Sequence, residues 1–233
     1  MTKRVVITGM GIISPIGNDV PTFWKNLVDG VCGIDYIHDF PTDGLPVKIA
    51  GKIKDFHPEE HGMDKAFGRK QDRFTQYGVA AAYEAMNQAG LVSEGEGQNI
   101  DPFRLGVYVG SGIGGFEIQF RETVKMIEDP TGQWISPLFI PTMISNIAAG
   151  HIAIKHQAKG PCIDVVTACA TSTNNIGEAF RAIRHGYADA IIAGGCEGAT
   201  IPLGIAGFAN AKALSRAEDP KYASLPFNAN RGG

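Results

Sequence analysis

Four short apolar runs, each closed by glycine or small residues, limit how this chain can fold: RVVITGMG from Arg4, LGVYVGSG from Leu105, CIDVVTA from Cys162 and ADAIIAGG from Ala188. Rich in Val and Ile and too short for globular helices, they predict buried strands. Between them stand two helical patterns, over residues 75–90 and 171–186, each ending in a glycine suited to a left-handed cap. Strand alternating with helix predicts the α/β class, with a mostly parallel sheet covered by helices. In the second helix Ile176, Phe180 and Ile183 are spaced to form an apolar face against that sheet, while Glu178 and Arg181 pair on another. The stretches 18–72 and 116–159 break the rhythm and read as excursions that cap the sheet.

Composition narrows the function classes. A chain of 233 residues with 44% hydrophobic content can bury a sizeable core. Its formal net charge of -3 gives no basic field for nucleic acid. No apolar run reaches the length of a membrane helix, and the start, MTKRVVITGMG, is too short and glycine-broken for a secretory signal. The expectation is a cytoplasmic protein that binds neither membrane nor nucleic acid. The four cysteines, Cys32, Cys162, Cys169 and Cys196, lack CxxC or Cys/His ligand spacing, so neither a metal site nor a disulfide framework is predicted. The six histidines show no metal-ligand pairing and read as solvated or structural.

Three stretches carry candidate chemistry. GSGIGG, residues 110–115, formally matches a dinucleotide turn. No second strand ends in an acidic residue at the required distance, since Glu128 and Asp129 fall in a loop-like segment. The better reading is a glycine turn beside a pocket, with Ile113 pointing into it. KAFGRKQDR, residues 65–73, is a basic cluster that reads as a solvated face or a dock for an acidic partner. The third is TACATSTNN, where Cys169 sits between strand and helix among small residues. A helix N-terminus stabilises a thiolate, so Cys169 is either an activated nucleophile or a small buried hydrophobe. Cys162 and Cys196, with no helix start beside them, read as buried hydrophobes.

At these residues the chain resembles the β-ketoacyl-acyl carrier protein synthases, especially the type II elongating branch. RVVITGMGIISPIGN is similar to that family's first strand and turn, and GSGIGG to its pocket loop. TACATSTNNIGEAF is similar to its nucleophile segment, and DAIIAGGCEGATIPLGIAGFANAKALS to the strand and loop that follow. The resemblance implies a thiolase-like α/β fold built of two similar halves, with residues 1–233 as the N-terminal half and the C-terminal half absent. It implies Cys169 as the acyl-accepting nucleophile, its own N–H as an oxyanion donor, and Ile113 and Phe208 as acyl-pocket residues. Phe139 would reach that pocket across a subunit interface.

The same resemblance implies docking of acyl carrier protein on Arg69, Lys70 and Lys212, with Lys65 nearby, and a homodimer formed through the 162–168 strand. No cofactor is implied, because the substrates ride on the carrier's phosphopantetheine. The expected activity is decarboxylating condensation of an acyl-enzyme thioester with malonyl-acyl carrier protein in fatty-acid elongation. The family's catalytic histidines lie in its second half, so the chain alone is expected to be inactive. Alternatives are a non-catalytic chain-length subunit, a polyketide-type ketosynthase and a thiolase-type enzyme using coenzyme A. The chain departs from the family before ISP, where Thr131, Gly132, Gln133 and Trp134 replace basic residues.

Overall fold

The computed structural model describes residues 4–232. In chain order they form α1 (Val20–Val28), β1 (Ile34–Tyr36), β2 (Ile49–Gly51), α2 (Lys65–Lys70), α3 (Arg73–Ala89) and β3 (Leu105–Gly110). There follow α4 (Phe116–Glu128), α5 (Phe139–Met143), α6 (Ile147–Lys155), β4 (Cys162–Ile163), α7 (Thr171–His185), β5 (Ala190–Gly195) and α8 (Pro202–Asn210). The chain divides into two compact units, one of residues 4–11 with 57–198 and one of 12–56 with 199–232.

The first unit holds a parallel sheet in the order β4-β3-β5. Val107 stands opposite Cys162, and Leu105 to Gly110 run in register with Ala190 to Gly195. Every β3 residue is buried, which explains the unbroken apolar run: a central strand covered on both faces has no polar side to present. Helix α6 lies against β3 and α3 against β5. On α3, Phe74, Val79 and Ala80 are buried; a fully buried large apolar side chain contributes about 1.5–3 kcal/mol. The predicted caps are in place, with Gly90 at φ +63° after α3 and Gly186 at φ +86° after α7.

Three expectations need correction. Of the buried strand expected over residues 162–168 only Cys162–Ile163 pairs, and both residues are exposed. The run at 4–10 forms no strand, and Val6 and Ile7 are 63% and 82% exposed. Its backbone runs along α3 instead: Met10 N–H donates to Gln88 Oε1 at 2.6 Å. A Cβ on Gly9 would stand 2.1 Å from the Ala85 carbonyl oxygen, and one on Gly11 1.9 Å from that of Ala81. Those glycines serve close approach to a helix rather than a strand end.

Helix α7 also faces the other way. Thr171, Asn175, Ala179 and Ala182 are its buried residues, whereas Ile176 and Phe180 are exposed. Ala179 and Ala182 pack with Tyr108, Ile191 and Ala193, because small side chains let the helix settle close to the sheet. The predicted Glu178–Arg181 pair forms, at 2.9 Å.

The second unit contains α1, an antiparallel β1–β2 pair and α8. Its core gathers Ile37, Val47, Ile49, Ile205, Ala209 and Ala223. Most of the stretch 18–72 lies in this unit, while 116–159 supplies α4, α5 and α6 to the first.

Candidate active site

Beyond β4 the chain turns sharply before α7. Ala168 adopts φ +51°, a left-handed value that costs a residue with a β-carbon about 1–2 kcal/mol. A single 3-10 turn, Ala168–Ala170, carries Cys169, and α7 begins two residues after it. Cys169 is exposed. The helix start predicted at the cysteine is thus displaced by one tight turn, and strain of this kind persists only where neighbours over-determine it.

Those neighbours are a polar brace. Asn175, 0% exposed, accepts from Val165 N–H at 3.1 Å and donates to Val165 O at 3.3 Å and Thr171 O at 2.9 Å. Asn174, on the exposed side, donates to Thr167 Oγ1 at 2.7 Å and Ala170 O at 3.3 Å. Thr167 N–H donates to Thr171 Oγ1 at 2.9 Å.

The glycine turn predicted as a pocket wall lies against this hinge. A Cβ on Gly112 would meet Ala168 backbone atoms at 3.1 to 3.3 Å, so the loop bearing Ile113 rests on the residue before Cys169. The loop's own amides are committed: Gly114 N–H donates to Ser111 Oγ at 2.8 Å and Gly115 N–H to Met143 O at 2.8 Å. They do not form a phosphate cradle. Helix α4 does open after Gly115, but it runs to Glu128 with Asp129 as its C-cap, so no second strand completes a dinucleotide pattern.

Two buried carboxylates fix this wall. Asp72 caps α3 through Phe74 N–H at 3.4 Å and accepts Ile118 N–H at 3.0 Å in the first turn of α4, whose N-cap Gly115 has no side chain to offer. Burial pushes the Asp72 carboxyl up, and the N–H donors only partly offset it. For Glu122 burial opposes the charge too, but Lys125 at 2.8 Å and Ser136 N–H at 2.9 Å outweigh it and hold the carboxyl below its usual value. Glu122 thereby ties α4 to the segment leading into α5 and the half-buried Phe139.

The first unit therefore brings together Cys169, the Ile113 loop and α5. Lys65, Arg69 and Lys70 are exposed on α2, where Lys65 and Arg69, four apart, share a face. Phe208 and Lys212 belong to the second unit, Phe208 exposed on α8 and Lys212 just past it at φ +58°. Cys162 departs from expectation and is exposed in β4. Cys196 follows β5, where burial, with Glu197 and Asp164 nearby, pushes its thiol far up. His151 stacks edge-on against Phe67, and burial, then the Lys155 charge, lowers His156 to about 4. Among the described residues no His, Cys, Asp and Glu group is arranged to hold a metal ion.

Sequence reasoning missed Asn174, Asn175, Asp72 and Glu122. For Asn175 a signal existed: it shares a helical stripe with Thr171, Ala179 and Ala182, and a polar residue on a stripe of small ones marks a buried hydrogen-bonding position.

A parallel sheet, an exposed cysteine on a strained turn ahead of a helix, and a glycine loop packed behind it define a thiolase-like α/β enzyme scaffold. The chain belongs to the β-ketoacyl synthase family, with residues 2–232 matching the description "Beta-ketoacyl synthase, N-terminal domain". It is similar to 3-oxoacyl-acyl-carrier-protein synthase 2 of Staphylococcus aureus (strain COL), 47% identical over 232 residues that make up 99% of this chain and 54% of the relative. The chain thus spans about half the length of the curated relatives it matches.

Among solved structures, a β-ketoacyl synthase from Burkholderia phymatum STM815 is similar over 100% of this chain and 56% of its own, at 27% identity and a TM-score of 0.85. A type II polyketide synthase acyl-carrier protein in complex with its ketosynthase bound to the hexaketide is similar over 92% of this chain and 58% of that one, at 25% identity and a TM-score of 0.76. No helix of the described residues is long and apolar enough to cross a membrane.

Proposed function

We propose that this chain supplies the nucleophile of a 3-oxoacyl-acyl carrier protein synthase of fatty-acid elongation. The observation that carries the reading is the exposed Cys169 on its braced turn, backed by the Ile113 loop. The Cys169 sulfur attacks the carbonyl of an acyl thioester on the carrier's phosphopantetheine arm. The pantetheine thiolate leaves and an acyl-cysteine forms, which divides a hard carbon–carbon bond formation into easier steps. Malonyl-carrier protein then loses carbon dioxide, and its carbanion attacks the acyl-cysteine carbonyl, returning the free thiol and a β-ketoacyl-carrier protein. The Cys169 N–H serves as one oxyanion donor. Thioester exchange needs no redox group, so the substrates bring all the chemistry on their pantetheine arms and no resident cofactor is invoked.

In the same reading Ile113 lines the acyl pocket, with Phe139 reaching it across a dimer interface. Lys65, Arg69 and Lys70 receive the acidic carrier protein; the exposure of these α2 residues supports this, as does the ketosynthase neighbour complexed with its acyl-carrier protein. Strand β4, at the edge of its sheet with Ile163 and Val166 exposed, supports pairing of a second copy along 162–168. The free cysteines suit the cytoplasm.

The test is malonyl-dependent elongation of acyl-carrier protein by the full-length protein. Cys169→Ala should lower it by about a thousand-fold or more, and the wild type should carry an acyl adduct on the Cys169 peptide by mass spectrometry. Elongation at wild-type rate by Cys169→Ala sinks the assignment.

A further inference from the structure

The brace around Cys169 does more than fill space. An α-helix beginning directly after a short strand has no intrinsic reason to hold a left-handed alanine at φ +51° in between, and that conformation must be maintained from outside. Asn175 maintains one side. Its amide accepts from Val165 N–H at 3.1 Å and donates back to Val165 O at 3.3 Å, as a neighbouring strand would, at a level where β4 has already ended at Ile163. A third bond, to Thr171 O at 2.9 Å, fastens the same amide to the first turn of α7. The strand side and the helix side of the hinge are therefore stitched through one buried group.

Asn174 maintains the turn itself, reaching back to Thr167 Oγ1 at 2.7 Å and Ala170 O at 3.3 Å, the residues on either side of Ala168 and Cys169. At position 175 an amide supplies donor and acceptor together; a carboxylate would face the Val165 and Thr171 carbonyl oxygens, and an alanine would take away the partner of Val165 N–H.

We propose that Asn174 and Asn175 are positioning residues for the nucleophile, holding the 165–171 hinge so that Cys169 meets an incoming thioester at one fixed angle. This rests on the reading of Cys169 as the acyl-accepting residue. Neither asparagine touches the reacting atoms. Their effect is on the orientation of the sulfur, so it belongs to the acylation rate and not to carrier binding, whose proposed basic residues are elsewhere.

The experiment uses the full-length protein and two probes: an acyl-pantetheine thioester, followed by mass spectrometry of the Cys169 peptide, and acyl-carrier protein in the elongation assay. Asn175→Ala should lower kcat for Cys169 acylation by about ten-fold or more with KM for acyl-carrier protein unchanged. Asn175→Asp keeps the acceptor for Val165 N–H but turns a carboxylate towards the Val165 and Thr171 carbonyl oxygens, so it should be slow as well. Asn174→Ala, at an exposed position, should cost several-fold with no change in melting temperature. Amide exchange at Val165 and Thr167 should quicken in each variant that is slow.

Equal acylation rates in wild type, Asn174→Ala and Asn175→Asp overturn the proposal, and these two variants decide the matter should Asn175→Ala fail to fold. A fall in KM-dependent binding at constant kcat overturns it as well. A wild-type protein whose Cys169 acylates but which does not elongate refutes the synthase reading and leaves the brace standing.

Discussion

Cys169 and Cys196 follow the two outer strands of one parallel sheet, and the chain treats them in opposite ways. After β4 comes a strained turn, held by hydrogen bonds from Asn174, Asn175 and Thr171, with the sulfur in the open. After β5 Cys196 N–H returns to Gly110 O at 3.0 Å, its Sγ lies 3.8 Å from the same oxygen, and the sulfur settles on Gly78 of α3. The first cysteine is left accessible on a turn held by polar bonds; the second is partly buried, with its sulfur packed on α3. A cysteine at a strand end is therefore not a site in itself. What decides is whether the surrounding residues build a turn that exposes the sulfur or pack it against a helix.

Thiol labelling is the sharpest way to break this comparison. At neutral pH iodoacetamide should modify Cys169 about 100-fold faster than Cys196, since Cys196 is partly buried and burial keeps its thiol protonated. Peptide mass spectrometry separates these two from the exposed Cys32 and Cys162. Comparable rates at the two positions would mean that the hinge and the turn do not differ as described.

The two cysteines also show how far the sequence was legible. The strands at Leu105 and Ala190 and both capped helices followed from β-branched runs and terminal glycines, most plainly at β3, which is buried throughout; of the buried strand expected from Cys162 only two exposed residues pair. Cys169 was also legible as the residue to watch. The face of α7 was misread because large apolar residues are the usual signal for burial, whereas this helix nests by its small ones and leaves Ile176 and Phe180 outside. The run at 4–10 was misread as a strand because Gly9 and Gly11 look like a strand end in sequence and act as a helix contact in space. The brace stayed hidden for a different reason: the stripe of Thr171, Ala179 and Ala182 marks Asn175 as buried, but nothing local tells which groups its amide will bond. That depends on where Val165 lies once β4 has ended.

The comparison holds only where both regions are folded, and acid sets that limit. His156, lowered to about 4 by burial and then by Lys155, takes up its proton later than the unfolded chain, whose histidine titrates near 6.5. The unfolded state binds more protons between those values. His156 thus contributes stability above pH 6.5 that is lost as pH falls towards 4, up to about 3 kcal/mol. Asp72 works in the other direction: its raised carboxyl contributes stability that is present in acid and lost as pH rises through its folded value. The decisive measurement is the difference between His156→Gln and wild type. Melting temperatures at pH 7 and pH 4.5 should converge in the variant and separate in the wild type; identical slopes would remove His156 as the cause.

Gly78 offers the finest cut between the two cysteines, because it faces one and not the other. A Cβ there would stand 2.8 Å from Cys196 Sγ and 3.3 Å from its Cβ, in a helix where both partners are held by packing. Overpacking of this kind costs about 1–3 kcal/mol, while alanine in place of glycine returns about 1 kcal/mol of helix propensity. Gly78→Ala should therefore lose up to about 2 kcal/mol in denaturant unfolding. Cys196→Ala in the same chain removes the sulfur and should restore most of that loss, while labelling of Cys169 stays at its wild-type rate in both variants. If the double variant is no more stable than Gly78→Ala alone, Cys196 is not packed on α3, and the distinction between a packed and an open cysteine fails at its packed end.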